Sequence, residues 1–315
     1  MDSSELQKLA ERTRSMREAG FALLFASGVL ALFLFLPSVS TKPAPALVAI
    51  ATSTAPDAFA NVPLQAKAAV VYDTVTGKIL YAKNADAQLP LASLTKLLTV
   101  YAALAELSPD TPITIPADVT HLDAPHAFSA GQVFTLQELA RLTLTASLND
   151  GATAIAEATA AREDRSQSHM LAGAAAGLDL SQTYALNGSG LDVSTAISGG
   201  YGSARDLAKL AGALAAEAPT ITAATTHNTT QGVSLDGTHF SVKNTDPMVG
   251  TIPHLLLSKT GYTDLAGGNL ALVFDAGIRH PIAVVVLGST EKSRFTDGTT
   301  LVAATLAHFA GVSSL

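Results

Sequence analysis

The sequence predicts an α+β domain in which an antiparallel sheet is divided in sequence by a helical insertion. Three observations carry this expectation. Short β-type runs lie at residues 68–81 and again at 255–287, and the stretch between them has helical apolar periodicity. The runs are joined by Gly-containing turns, as strands of a meander are. With 315 residues, 48% of them hydrophobic, the chain can bury a core of ordinary single-domain size.

Taken in order, the first 19 residues form a basic leader containing Lys8, Arg12, Arg14 and Arg17. Residues 20–36 then carry no charge, a length near the lower limit of about 17 residues for a helix that spans a bilayer. Basic residues beside a span stay in the cytoplasm, so the expectation is a signal anchor at 20–37 in contact with the lipid bilayer, with everything after it outside the cell. A cleaved signal peptide is the alternative, with Ala44-Pro45-Ala46 or Ala58-Phe59-Ala60 as the cleavage site. Both triplets lie far from the apolar run, which favours the uncleaved anchor. Residues 38–61, rich in Ala, Pro, Ser and Thr, read as a tether, and the folded domain is expected over 62–315.

Within that domain, 68–73 and 78–81 around Gly77 read as a hairpin. Helices are expected at 94–107, 134–145, 152–161 and 204–216, the second opening with the capping box Thr135-Leu136-Gln137-Glu138, so that the helical insertion covers about 93–216. Strands return at 255–260, 270–275 and 282–287, and a helix near 299–308 closes the chain. The acidic balance, net −7, gives no basic field for nucleic acid, and the absence of cysteine removes disulfides, thiolate metal sites and a cysteine nucleophile. No cofactor motif is present.

The helix at 94–107 poses the chemical question. Lys96 is its only charge between Thr95 and Ala105, among Leu94, Leu97, Leu98, Val100, Tyr101 and Leu104. A lysine on so apolar a helix must reach the surface, find a partner or lose its proton, and burial favours the neutral amine, which is a base. Ser93 stands one turn earlier on the same face, at the expected helix N-terminus, where free N–H groups stabilise an oxyanion. The alternative for the pair is a capping serine with a snorkelling lysine. Ser-x-x-Lys recurs at Ser289-Thr290-Glu291-Lys292, which reads as a solvated loop.

Two further motifs follow in order, Ser147-Leu148-Asn149 and Lys259-Thr260-Gly261. With Ser93-Leu94-Thr95-Lys96 they resemble the Ser-x-x-Lys, Ser-x-Asn and Lys-Thr-Gly set of penicillin-recognising serine enzymes, specifically the D-alanyl-D-alanine carboxypeptidases among the low-molecular-weight penicillin-binding proteins. The resemblance spans roughly 62–310 and includes Gly190-Leu191-Asp192, the stretch Tyr201 to Leu207, and Asn244-Thr245. It implies the DD-peptidase/β-lactamase-like fold, peptidoglycan peptides ending in D-Ala-D-Ala as substrate, and β-lactams as covalent inhibitors. It further implies Ser93 as nucleophile, Lys96 as its base and Ser147 as proton relay to the leaving group. Asn149 would hold the substrate carbonyl, Lys259 and Thr260 the terminal carboxylate, Gly261 would admit the substrate backbone, and the N–H groups of Ser93 and Tyr262 would form the oxyanion hole. Leu148 departs from the smaller residue common at that position, and no C-terminal β-domain or amphipathic helix is recognisable, which leaves anchoring to the N-terminal segment.

Other classes fit less well. A class A β-lactamase needs Glu-x-x-Leu-Asn for deacylation, and none occurs between Asn149 and Lys259, so a penicilloyl ester is expected to persist. His121, Asp123 and His126 form no compact metal motif and read as a solvent-facing loop. No Gly-x-Ser-x-Gly elbow is present. A non-catalytic wall-binding module would not need the complete motif set. Cleavage of cross-links by a D,D-endopeptidase uses the same residues as carboxypeptidase action.

Overall fold

The structure is a computed structural model that describes residues 2–34, 57–121 and 123–311. It comprises two units, Met1–Ser53 and Thr54–Leu315. The first contains helix α1 (Ser3–Leu34), which has no proline to interrupt its hydrogen-bond ladder. Among the described residues no helix is long and apolar enough to cross a membrane. The end of the expected anchor, 35–37, and the expected tether as far as residue 56 lie outside the described residues.

The second unit begins its sheet with β1 (Ala68–Asp73) and β2 (Ile79–Lys83), whose turn is closed by the Asp73 carboxylate accepting from the N–H groups of Val75 and Thr76. Strand β3 (Leu89–Pro90) and a 3-10 turn (Ala92–Leu94) lead into α2 (Thr95–Glu106). Then come β4 (Pro112–Thr114) paired with β5 (Val133–Thr135), and helices α3 (Leu136–Ala146), α4 (Asn149–Arg162) and α5 (Gln167–Gly177). Strands β6 (Tyr184–Ala185) and β7 (Gly200–Gly202) precede α6 (Ala204–Glu217) and α7 (Pro219–Thr222). A separate hairpin, β8 (Thr229–Val233) and β9 (His239–Lys243), is followed by β10 (Leu255–Thr263), β11 (Gly267–Asp275), β12 (Pro281–Ser289) and α8 (Ser293–Ala310).

The main sheet has the order β10-β11-β12-β1-β2 and every pairing in it is antiparallel, so the first hairpin and the last three strands meet across the β1–β12 seam. Strand alternation sends Ala283, Val285 and Leu287 into a core shared with α2, α3, α4 and α6, and Ile282, Val284 and Val286 into a second core closed by Leu301 and Val302 of α8. Covering both faces explains why β12 reads as an unbroken apolar run, and each buried Val, Leu or Ile in it contributes roughly 1.5–3 kcal/mol. This is the antiparallel sheet flanked by helices, with a helical cluster beside it, that the sequence predicts.

Several local expectations shift. Helix α3 starts at Leu136 because Thr135 is its cap, accepting from the Glu138 N–H at 3.2 Å. Helix α8 begins at Ser293, six residues before the expected start, and α5 and the β8–β9 hairpin are additional elements. Ser289 is not a solvated loop residue. It ends β12, is only 6% exposed, and donates to Asp297 Oδ2 at 2.7 Å because Asp297 also collects the N–H groups of Gln65 and Ala66 where the chain enters the sheet. Asp123 and His126 are exposed, and among the described residues no cluster of three could hold a metal ion.

Candidate active site

Four segments converge on Ser93. The chain reaches it through Pro90, whose carbonyl accepts from Asn269 of β11 at 3.0 Å, and Leu91, whose N–H donates to Gly200 at 2.9 Å. Ala92 then adopts φ 47, a left-handed conformation uncommon for a residue with a side chain. Its carbonyl is packed by Gly190, where an added Cβ would lie 2.0 Å from that oxygen, so the strained turn is held from outside. The half-buried Ser93 leads directly into α2, with Thr95 to Val100 all buried behind it.

Lys96 is completely buried. Its Nζ donates to Ser93 Oγ at 2.7 Å, Asn149 Oδ1 at 2.8 Å and the Ser189 carbonyl at 2.7 Å. Desolvation lowers its pKa to about 7, with the nearby Asp150 carboxylate opposing that fall. An ammonium uses all three donors here. Once neutral, the amine keeps two N–H groups for the fixed Asn149 and Ser189 oxygens, and its lone pair is left facing the Ser93 hydroxyl.

Asn149 and Ser147 are brought in by the junction between α3 and α4. Ser147 closes α3 at φ 61, ψ 34, and Asn149 is the first residue of α4. Lys259, 1% exposed on β10, donates to Ser147 Oγ at 2.8 Å and to the Thr260 carbonyl at 2.7 Å. Its pKa lies well below that of an ordinary lysine, first through desolvation, then through repulsion from Lys96 and Arg294.

The remaining residues lie on β10, the edge strand of the sheet. Thr260 Oγ1 shares a 2.6 Å hydrogen bond with Thr245 Oγ1. At Gly261 the strand passes so close to the turn carrying Ser93 that a Cβ would lie 2.9 Å from the Leu91 carbonyl and 3.2 Å from the Ser93 nitrogen, which is why glycine stands there. Tyr262 is exposed. All eight residues singled out in the sequence thus lie on this connected cluster or on the strand that borders it.

Two contributors were not among them. Asp150, 1% exposed, accepts at one oxygen from the N–H groups of Ala127 and Phe128, tying the loop after residue 122 to α4. That loop already occupies Asn149, whose Nδ2 donates to the Asp123 carbonyl at 2.7 Å. Arg294, the second residue of α8, donates to the Gly261 carbonyl at 2.7 Å. Asp150 could have been suspected as a charge beside the middle motif, whereas Arg294 stands in no local pattern and only the packing of α8 brings it to β10.

The sequence matches the family described as D-alanyl-D-alanine carboxypeptidase over residues 51–291. It is 29% identical to a D-alanyl-D-alanine endopeptidase of Pseudomonas aeruginosa, covering 81% of this chain and 83% of that one. It is 30% identical to the D-alanyl-D-alanine carboxypeptidase DacD of Salmonella typhimurium over 79% of this chain, and spans less than two thirds, 64%, of that relative. Among solved structures, ampicillin-bound penicillin-binding protein D2 of Listeria monocytogenes superposes with a TM-score of 0.66 at 28% identity, over 78% of this chain and 98% of that one.

Proposed function

The chain belongs to the D-alanyl-D-alanine carboxypeptidase family, and from that premise we propose that it is a serine D-Ala-D-Ala carboxypeptidase that trims peptidoglycan stem peptides through an acyl-enzyme on Ser93. The observation that carries this reading is the fully buried Lys96 amine, 2.7 Å from Ser93 Oγ and poised to be neutral near pH 7. Neutral Lys96 takes the Ser93 proton as Oγ attacks the carbonyl carbon of the penultimate D-alanine. The developing oxyanion lies between the N–H groups of Ser93 and Tyr262, and the substrate backbone runs along the β10 edge. Asn149 turns its amide from Asp123 to the substrate carbonyl. The terminal carboxylate rests against Thr260 and Lys259, and this negative charge favours the protonated form of Lys259. Ser147, bonded to Lys259, passes the proton to the departing amine, and water then cleaves the ester. β-Lactams acylate Ser93 in the same way and remain attached.

The same reading places the catalytic unit outside the cytoplasm, held by residues 20–37 as a single-pass anchor whose last three residues lie outside the described residues. In support, Phe21, Leu23, Leu24 and Phe25 are each at least 70% exposed, an apolar surface that water does not favour. Cleavage of cross-links is a second reading, favoured by a cavity beside β10 and by the name of the Pseudomonas relative. The test is release of D-alanine from a pentapeptide, abolished by Ser93→Ala and by benzylpenicillin. Rapid penicillin hydrolysis without D-alanine release would instead make the protein a β-lactamase.

A further inference from the structure

The substrate pose gives the stem peptide a direction. With its terminal carboxylate at Thr260 and the scissile carbonyl at the Tyr262 N–H, the acyl part continues past Tyr262 toward Thr263. There the segment between β6 and β7 is fastened to the strand, Thr263 Oγ1 donating to Asp192 Oδ1 at 3.2 Å. About four residues of a stem peptide separate the scissile carbonyl from the amine that joins the sugar, roughly 13 Å of extended chain. The surface that far beyond Tyr262 is where the glycan arrives.

That surface carries an apolar stripe. Strands β6 and β7 pair Tyr184 with Tyr201 and Ala185 with Gly200, and strand alternation buries the second pair while the first faces outward. The two tyrosine rings stack with centroids 5.3 Å apart and planes 20° from parallel, and Tyr184 is 40% exposed. The ribbon continues through the Leu186 N–H, which donates to the Gly199 carbonyl at 2.8 Å, and the Val193 N–H, which donates to the Ile197 carbonyl at 2.8 Å. Leu186, Val193 and Ile197 are all exposed. Pro90 of β3 pairs with Tyr201, so Tyr184 lies two strand spacings, about 10 Å, from a residue three positions before Ser93. The stripe therefore begins at the end of the catalytic strand and stays within reach of a single stem.

Its chemistry is uncharged. From Ser181 to Ala204 the only charged side chain is Asp192, and that one is bonded to Thr263. Anionic lipid headgroups find no cation on such a face. What it offers is a ring held in place by its neighbour, apolar side chains on either side of the ribbon, and the exposed hydroxyls of Ser194 and Thr195. A pyranose has the matching form, C–H groups on one face to lie on an aromatic ring and hydroxyl and acetamido groups around its rim to meet neutral donors and acceptors. We propose, on the acyl-enzyme reading above, that the stripe from Tyr184 to Val193 is a sugar subsite that holds the N-acetylated disaccharide from which the stem peptide hangs, so that the enzyme prefers stems still attached to glycan over free peptides.

The test compares D-alanine release from a disaccharide pentapeptide with release from the same pentapeptide lacking its sugars, for wild type, Tyr184→Ala and Tyr184→Phe. Wild type is expected to favour the disaccharide substrate by about ten-fold or more in kcat/KM, and Tyr184→Phe to keep that preference because the ring remains. Tyr184→Ala should lose it while turning over the sugar-free peptide within about two-fold of wild type. Acylation by benzylpenicillin, which carries no sugar, should proceed at the wild-type rate in both variants and so reports that they fold. A wild type indifferent to the sugars, or equal losses on both substrates in Tyr184→Ala, would overturn the subsite and spare the acyl-enzyme reading. Indifference to the sugars together with a dimer in sedimentation that Tyr184→Ala dissociates would overturn it too, and give the stripe to a second copy of the chain. Turnover of neither substrate would remove the carboxypeptidase reading and the subsite with it.

Discussion

If Lys96 is the base, pH is the perturbation with the clearest signature. Holding the lysine at about 7 instead of 10.5 disfavours its ammonium by about 5 kcal/mol, which is the work of removing the group from water inside α2. Roughly half the enzyme then carries the neutral amine at pH 7, about a tenth at pH 6, and about three molecules in ten thousand would do so at pH 7 were the lysine ordinary. Stopped-flow acylation by a fluorescent penicillin should therefore rise about ten-fold per pH unit below pH 7 and flatten as the amine becomes neutral. Lys96→Arg, which cannot deprotonate, should lower the acylation rate by at least about a hundred-fold and abolish the slope. Acylation independent of pH between 5 and 8, or an inflection that survives in Lys96→Arg, would refute the assignment.

Three other outcomes follow from neighbouring groups. Asp150 is the charge that raises the Lys96 pKa against desolvation, while the positive groups near it are Lys259 and, beyond that, Arg294; Asp150→Asn should shift the rising limb of the acylation profile to lower pH, and an unmoved limb would deny the coupling. Because the folded-state pKa of Lys96 is depressed, the unfolded chain binds more protons between pH 7 and 10.5, so stability rises with pH in that window and is lost below it; the wild-type minus Lys96→Met difference in urea unfolding free energy should climb by up to about 1.4 kcal/mol per pH unit there. Gly190→Ala forces a Cβ against the Ala92 carbonyl at φ 76, and should cost more than about 2 kcal/mol in thermal unfolding and slow acylation as the nucleophile turn shifts; a variant with wild-type stability and rate would show that the turn needs no such support.

Much of this site was legible in the sequence because its logic is local. One charge on an apolar helix is a physical anomaly visible in the letters, and Ser93 one turn away gives it a purpose. The sheet was legible because its buried strands are continuous apolar runs. Helix α5 escaped notice because His169 to Gly177 is mostly Ala and Gly, with no amphipathic stripe. The β8–β9 hairpin has alternating burial in β8 and an Asp236-Gly237 turn signal, which would have sufficed to find it. Ser289 was misread because its buried partner, Asp297, lies on the next helix, where only folding brings the two together. Arg294 and the cavity it lines are non-local in the same sense: they arise where the start of α8 reaches the strand carrying Lys259.

The central claim is that Ser93 is the acylated nucleophile. Intact mass of the protein after incubation with benzylpenicillin, followed by peptide mapping, tests it most directly. One stable penicilloyl adduct on Ser93, lost in Ser93→Ala, is the expected result. An adduct that persists in Ser93→Ala, or that maps to Ser289 in the second Ser-x-x-Lys copy, would contradict it.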